Sequence, residues 1–300
     1  MDIKETKCGT AAVIGKSNAG KSTLINVLAG AKVSITSPKP QTTRDRILGI
    51  LTEKDYQIIF VDTPGIYKSK NILSSRMQKT ISGTARDVDI ILYVIDAHKE
   101  ISEDDIKLLS KYSGYEIKTI VVLAKTDITE KEKLVEKIRF ISEKVENVEI
   151  IPVSARKNVN LRVLLKLITD NLPEGEFIYP ADILSDKSDS FMICEIMREK
   201  LLLLYDNEIP HGVMININKF SLRKDKKLYD IDLDIICEKQ NHKAIIIGKN
   251  GEALKNALTL AREGMEKFLG RKVFLSAFVK VEEDWRNNDR FVNKYFEEEV

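Results

Sequence analysis

Cysteine, histidine and tryptophan are scarce in this 300-residue chain, at three, three and one. Cys8, Cys194 and Cys237 are odd in number and share no metal-ligand spacing. That excludes a disulfide scaffold and points to reduced thiols. His98, His211 and His242 stand singly, so no zinc-ligand pattern forms around them. No apolar run approaches the roughly 18 residues of a membrane span. The opening MDIKETKCGTAAVIG lacks the basic-then-apolar plan of a secretory signal, and a cytoplasmic location is expected. Net charge is small as well: 48 Lys and Arg against 46 Asp and Glu give +2. No blanket of positive charge announces nucleic acid.

What is present describes a soluble globular protein, with 43% hydrophobic and 31% charged residues. The length suits one large domain or two ordinary ones. Charge is uneven locally. Between Asp186 and Val281 there are 17 Lys and Arg against 14 Asp and Glu, including the run Arg223-Lys224-Asp225-Lys226-Lys227. Such an excess serves phosphate contacts only if it gathers on one face, and a solvated loop accounts for it equally well.

Through the first 170 residues short apolar runs alternate with amphipathic segments. Strands are expected over Thr10–Ile14, Gln57–Val61, Ile90–Ile95, Thr119–Leu123 and Glu149–Val153, with helices such as Lys131–Val145 and Leu161–Asn171 between them. This alternation argues for βαβ units around a mostly parallel sheet with helices on both faces. Pro173, Gly175 and Pro180 break the pattern within LPEGEFIYPAD (172–182). A smaller α+β region is expected beyond it. It begins with a helix over Ser190–Tyr205 carrying Phe191, Cys194, Met197, Leu201 and Leu204 on its apolar side. Strands follow around Val213–Phe220 and Tyr229–Cys237, with Ile231, Leu233 and Ile235 on one face. A glycine loop, a helix over Leu254–Leu269, a strand over Val273–Val281 and a polar C-terminal helix complete it.

Two lysine-bearing glycine loops stand out. The first, Gly15-Lys16-Ser17-Asn18-Ala19-Gly20-Lys21-Ser22, follows an expected strand and opens a helix over Ser22–Leu28, and it matches G-x-x-x-x-G-K-[ST]. In such a loop glycine backbone wraps phosphates, Lys21 reaches the β- and γ-phosphates and the Ser22 hydroxyl ligates Mg²⁺. Asp62-Thr63-Pro64-Gly65 ends another strand, where Asp62 can hold a Mg²⁺ water and the Gly65 amide can sense a γ-phosphate. The base is read separately. In Lys125-Thr126-Asp127 the carboxylate can accept from guanine N1–H and the exocyclic amine, a donor pair adenine lacks. Ser154-Ala155 closes the last strand, with the Ala155 amide available to guanine O6. In this order, each at a strand end, the set specifies GTP.

The chain resembles the translation-factor-related P-loop GTPases and, within them, the bacterial Era family. The resemblance is carried by KPQTTRDRILGI (39–50), DTPGIYK (62–68), FIYPADILSD (177–186), CEIMREKL (194–201), EIPHGV (208–213) and VKVEEDWRNND (279–289), and it spans nearly the whole chain. It implies a GTPase domain over 6–175, a linker over 176–185, a type II KH domain over 186–284 and a C-terminal helix and tail over 285–300. The second glycine loop, Ile247-Gly248-Lys249-Asn250-Gly251, lacks a hydroxyl after its final glycine, since Glu252 stands there and would repel phosphates. It fits the GXXG loop with which a KH domain clamps single-stranded RNA.

The resemblance further implies a slow GTPase switch, converting GTP to GDP and phosphate, that binds the 3′ region of 16S rRNA and assists its processing and 30S subunit biogenesis. A monomer with peripheral membrane association is implied too. Lys21, Thr43, Gly65 and Asn18 are the expected catalytic group, with Ser22, Thr43 and Asp62 around Mg²⁺; Thr42 rivals Thr43. Asn18 resembles the branch that uses K⁺ where others use an arginine finger. Two departures stand out: Ala124 replaces the guanine-motif asparagine, and Ile66 stands where many small GTPases place a glutamine that orients water. A competing reading, an RNA-binding scaffold with a degenerate G domain, rests on Ala124. A third, an ATP-using P-loop protein, is opposed by Asp127 and Ala155.

Overall fold

A computed structural model describes residues 6–66, 71–85, 87–223 and 227–297. Tyr67 and Lys68 of the DTPGIYK stretch and Lys224, Asp225 and Lys226 of the basic run lie outside the described residues. Two compact units emerge. One comprises 6–34, 43–66, 77–85 and 87–186, the other 35–42, 71–76, 187–223 and 227–297.

The first unit contains β1 (Lys7–Ile14), α1 (Lys21–Leu28), β2 (Ile47–Thr52) and β3 (Tyr56–Asp62). After α2 (Ile72–Thr84), whose first turns group with the second unit, come β4 (Ile90–Asp96), α3 (Glu103–Ser113), β5 (Lys118–Ala124), α4 (Lys131–Lys144), β6 (Val148–Val153) and α5 (Leu161–Asp170). The six strands form one sheet in the order β2-β3-β1-β4-β5-β6, parallel except for the β2–β3 pair. Its strands are continuous apolar runs because helices cover both faces: all seven residues of β4 are buried. Val13, Phe60, Leu92 and Val122 fill one side, and Ile14, Tyr93 and Leu123 the other. The chain fills β3 and β2 on one side of β1 and then crosses to β4 on the other. That reversal opens a crevice at the carboxyl ends of the strands.

The five expected strands of this unit form, but β2 adds a sixth. Its ILGILT pairs antiparallel with β3 from Ile47 opposite Asp62 to Thr52 opposite Gln57. No alternation marks it, because segment 177–186 buries the edge strand further. Ile50 N donates to Leu184 O at 2.9 Å, Leu48 N to Asp186 Oδ1 at 2.8 Å, and Phe177 and Tyr179 pack with Leu48 and Val61.

The second unit contains α6 (Asp189–Leu204), β7 (Met214–Arg223), β8 (Leu228–Cys237), α7 (Gln240–Ile247), α8 (Glu252–Leu269), β9 (Lys272–Val281) and α9 (Asp289–Glu297). β7 and β8 pair antiparallel, with an irregularity between Ile217 and Lys219, and β8 and β9 pair parallel. Ile231, Leu233 and Ile235 do share the buried face, where they meet Ile193, Ile196 and Met197 of α6 and Ala257, Ala261 and Met265 of α8. The buried stripe of α6 differs from the expected one, since Ile193 and Ile196 are buried while Phe191 and Cys194 are only partly so. That helix is apolar on several sides, so spacing alone does not choose its inner face. α7 is a further difference from expectation. Its apolar run, Ala244 to Ile247, ends directly at the glycine loop, and the whole helix is only eight residues long. Among the described residues no helix is long and apolar enough to cross a membrane.

Candidate functional site

The crevice collects the first loop's residues because β1, β3, β5 and β6 all end there. Val13 lies in register with Asp62, and Ala124 with both Asp96 and Val153. The loop from Gly15 to Gly20 leads into α1, whose first residues are Lys21 and Ser22. Asn18 holds φ 64°, a left-handed conformation asparagine tolerates. Lys21 is buried and donates to Gly15 O and Lys16 O, both at 3.1 Å. Burial lowers its pKa to about 8, although the nearby Asp62 charge opposes the shift.

Asp62 collects hydroxyls. Its Oδ2 accepts from Ser22 Oγ and Ser34 Oγ, both at 2.8 Å, and from Thr43 Oγ1 at 3.4 Å. Ser22 Oγ and Thr43 Oγ1 are 2.9 Å apart. Thr42 Oγ1 instead donates to Lys39 O at 2.7 Å. The Asp62 Oδ1 atom is buried with no hydrogen-bond partner among the described residues. Burial raises the Asp62 pKa, against the Lys21 charge and the three hydroxyls. A buried ammonium and a buried carboxylate, each pushed toward its neutral form, are disposed to take up ions of opposite sign. An orphaned carboxylate oxygen among hydroxyls fits a hard divalent cation that keeps several waters.

The loop after β3 lies against the first loop. Thr63 Oγ1 donates to Val13 O at 2.9 Å, and Ile66 N to Gly15 O at 3.2 Å. At Gly65 a Cβ would stand 2.7 Å from Ser17 Cα and 2.9 Å from Ser17 N, so only glycine permits the approach. Pro64 lies between them in this loop. Beyond β5, Lys125 Nζ donates to Asn18 O and to Asp96 Oδ2, both at 2.7 Å. Thr126 opens a short turn, and Asp127 Oδ1 accepts from Ser154 Oγ at 2.7 Å; Ala155 follows directly. The crevice thus gathers Gly15–Ser22, Thr43, Asp62–Ile66, Ala124–Asp127 and Ser154–Ala155.

Sequence reading missed four contributors: Asp96, Ser34, Ser102 and Asp105. Asp96 ends β4 beside Ala124 and anchors Lys125; its place at a strand end is the signal that could have found it. Ser34 bonds Asp62 from 28 residues away, and nothing local marks it. Lys16 Nζ donates to Ser102 Oγ at 2.7 Å and Asp105 Oδ2 at 2.8 Å, where Ser102 and Asp105 form a capping box at the start of α3. Among the described residues no group of three His, Cys, Asp or Glu could hold a metal by itself.

The second loop lies between α7 and α8. Gly248 holds φ 72° and ψ 177°, Asn250 φ 51° and Gly251 φ 77°, and α8 starts at Glu252. Ile247 is half-buried, and Lys249 and Asn250 are exposed. Beside the loop runs a groove of about 330 Å³ lined by Gly251, Leu254, Lys255, Leu258, Arg262 and Leu275. An apolar floor and a basic flank suit bases and phosphates together.

Known proteins resemble this chain over nearly its full length. Residues 10–125 match the family model described as a 50S ribosome-binding GTPase, and 208–286 match a KH domain. GTPase Era of Clostridium kluyveri is 44% identical over 289 residues, covering 96% of this chain and 98% of that one. GTPase Era of Caldanaerobacter subterraneus is 42% identical over 288 residues, covering 96% and 97%. Among solved structures, an Aquifex aeolicus Era variant bound to GDP·AlF4⁻ superposes with a TM-score of 0.90 at 37% identity, covering 97% of this chain and 99% of that one. An Era in complex with MgGDPNP and nucleotides 1506–1542 of 16S ribosomal RNA does so with a TM-score of 0.90 at 37% identity, covering 97% and 98%. With the Gly15–Ser22 and Asp62–Ile66 motifs inside the matched GTPase segment, the Gly248–Gly251 loop inside the KH segment and 96% of the chain aligned with GTPase Era at 44% identity, the chain belongs to the Era family of GTPases and hydrolyses GTP.

Proposed function

We propose that the protein is a GTP/GDP switch that clamps single-stranded 16S rRNA near its 3′ end and assists 30S subunit maturation. In this reading residues 6–175 form the GTPase domain, 176–185 the linker, 186–284 the RNA-binding domain and 285–300 the C-terminal helix and tail. The observation that carries the switch is the convergence of Ser22, Thr43 and the orphaned Asp62 Oδ1 beside buried Lys21. Ser22 and Thr43 would hold Mg²⁺, with Asp62 behind them; Thr42, engaged with Lys39, is the weaker candidate. A Mg²⁺ held there would supply positive charge against the phosphates. Lys21 exchanges the carbonyls of Gly15 and Lys16 for phosphate oxygens, the Gly65 amide senses the γ-phosphate and Asp127 selects guanine. Ile66 has no group to orient water, so intrinsic turnover is slow.

The RNA reading draws on the Gly248–Gly251 geometry and on the rRNA-bound relative. A cytoplasmic location, a monomeric state and peripheral membrane association belong to the same proposal and rest on the family resemblance alone. A titration with a 16S 3′-region oligomer tests it. Binding no tighter than to an unrelated single strand of equal length would remove the ribosomal assignment.

Ala124 weakens the base pocket without dismantling it, because Lys125 still ties Asn18 O to Asp96. Ala124→Asn restores one hydrogen-bonding side chain near the first loop, a gain of about 1 kcal/mol or roughly 5-fold in GTP affinity. Fluorescent-nucleotide titration reads this directly; unchanged or weaker binding contradicts it.

Asn18 also supplies a neutral carbonyl oxygen at the loop, a donor suited to K⁺. A K⁺ held by Asn18 would offset charge developing on phosphate oxygens, as an arginine finger does elsewhere. Hydrolysis is expected to slow when Na⁺ replaces K⁺ at constant ionic strength, and Asn18→Asp, which also tolerates the left-handed backbone, should blunt the difference. Equal rates in the two salts count against this role.

A further inference from the structure

The face of the three-stranded sheet turned away from α6 and α8 carries two large exposed rings. Phe274 is 56% exposed and Phe278 64%, while their neighbours Val273 and Val279 are buried in the core. Strand alternation sets Lys272, Phe274, Ser276, Phe278 and Lys280 on one face of β9. Basic residues therefore bracket the aromatics along a single strand. Core packing does not explain the rings, because the core takes the alternate residues.

Two further observations bear on what covers them. β9 ends the sheet order, and Leu275, between Phe274 and Ser276, lines the groove beside Gly251. The aromatic face and the groove are thus the two sides of one strand. Arg223, extended across from β7, places its guanidinium 5.4 Å from the Phe274 ring centroid, which keeps a cation beside that platform. The acidic row on β8 would repel phosphate, but each member is engaged. Asp230 bonds Lys219 and Arg223, Asp232 accepts from Ser276 and Asn218, and Asp234 bonds Lys280.

We infer that Phe274 and Phe278 form a stacking platform for bases of the same single-stranded RNA, where the strand leaves the groove and passes around the edge of β9. Every base presents a π-face, so exposed rings interleaved with cations serve RNA without demanding a sequence. Sheet-borne aromatics do this in other RNA-binding modules. The platform extends the site beyond the roughly four nucleotides that a glycine-loop clamp holds. It rests on the RNA-binding reading of the loop Gly248–Gly251.

The test is RNA affinity as a function of length, in full-length protein, for single strands from about four to about twelve nucleotides. The native protein should gain affinity as the strand outgrows the groove. Phe274→Ala with Phe278→Ala should remove that gain, roughly 10- to 100-fold for the long strand, and leave the short strand unchanged. Phe274→Tyr with Phe278→Tyr should retain it. Phe278→Trp adds a spectroscopic readout, because the native Trp285 is buried: its fluorescence should be quenched by the long strand and not by the short one. Long-strand affinity in the double alanine variant equal to native, or no gain with length in the native protein, overturns the platform. If neither length binds native protein and Gly251→Asp changes nothing, the RNA reading itself fails and the platform falls with it. Short-strand binding that persists, and is lost in Gly251→Asp, keeps the two outcomes distinct.

Discussion

Lys21→Ala should lose GTP affinity by roughly a hundred- to several-thousandfold, because it removes a charged donor from two phosphates. The fold should survive. In the structure Lys21 is a buried ammonium bonded only weakly, at 3.1 Å, to the carbonyls of Gly15 and Lys16, and burial already pushes it toward the neutral form. Removing it also removes that desolvation cost, so thermal unfolding should move by only a few degrees. Ser22→Ala should instead weaken mainly the Mg²⁺-dependent part of binding. Native-like GTP affinity in Lys21→Ala, by fluorescent-nucleotide titration, would contradict the phosphate-loop assignment.

Gly251→Asp carries the second large effect. At φ 77° a non-glycine residue is strained, although aspartate is among those that tolerate the left-handed region best, and a Cβ at this position meets nothing within 4 Å. The variant should therefore fold, while its carboxylate faces the passing phosphates. Repelling two phosphates from the loop costs a few kcal/mol, roughly 10- to 1,000-fold in RNA affinity. Gly248→Asp is a poorer probe. There a Cβ would stand 2.5 Å from Ala253 Cβ, and φ 72° with ψ 177° is a region that only glycine occupies readily. Its losses would mix misfolding with repulsion. Lys249→Ala should be milder and lower the salt dependence by about one counterion or less. Basal GTP hydrolysis should be unchanged in Gly251→Asp. Full RNA affinity in that variant, with native circular dichroism, would leave the clamp without support.

Much of this architecture is legible in the sequence because it depends on local chemistry. The strands of the first unit are buried on both faces and read as unbroken apolar runs, and the functional motifs follow their carboxyl ends. What escapes depends on partners far away in the chain. β2 is defined by pairing with β3 and by cover from 177–186, not by a pattern of its own. On α6, apolar residues on several sides leave its inner face to be chosen by β7, β8 and α8. α7 hides because the helix is only eight residues long and its short apolar end abuts the glycine loop. The site behaves likewise. Gly-x-x-x-x-Gly-Lys-Ser and Asp-Thr-Pro-Gly are contiguous and announce themselves, whereas Ser34 and Asp96 reach Asp62 and Lys125 only through the fold. The choice between Thr42 and Thr43, open in sequence, becomes a matter of geometry, since one hydroxyl faces Lys39 O and the other faces Ser22 and Asp62.

A guanine-specific hydrolase and an RNA clamp joined in one chain should be coupled. Phosphate release measured with GTP and with ATP, each with and without a 16S 3′-region oligomer, tests this most directly. Release should be slow from GTP and no higher than background from ATP, and the GTP rate should shift when the oligomer is added to native protein but not to Gly251→Asp. Equal release from GTP and ATP, or no release from GTP at any RNA concentration, would contradict it.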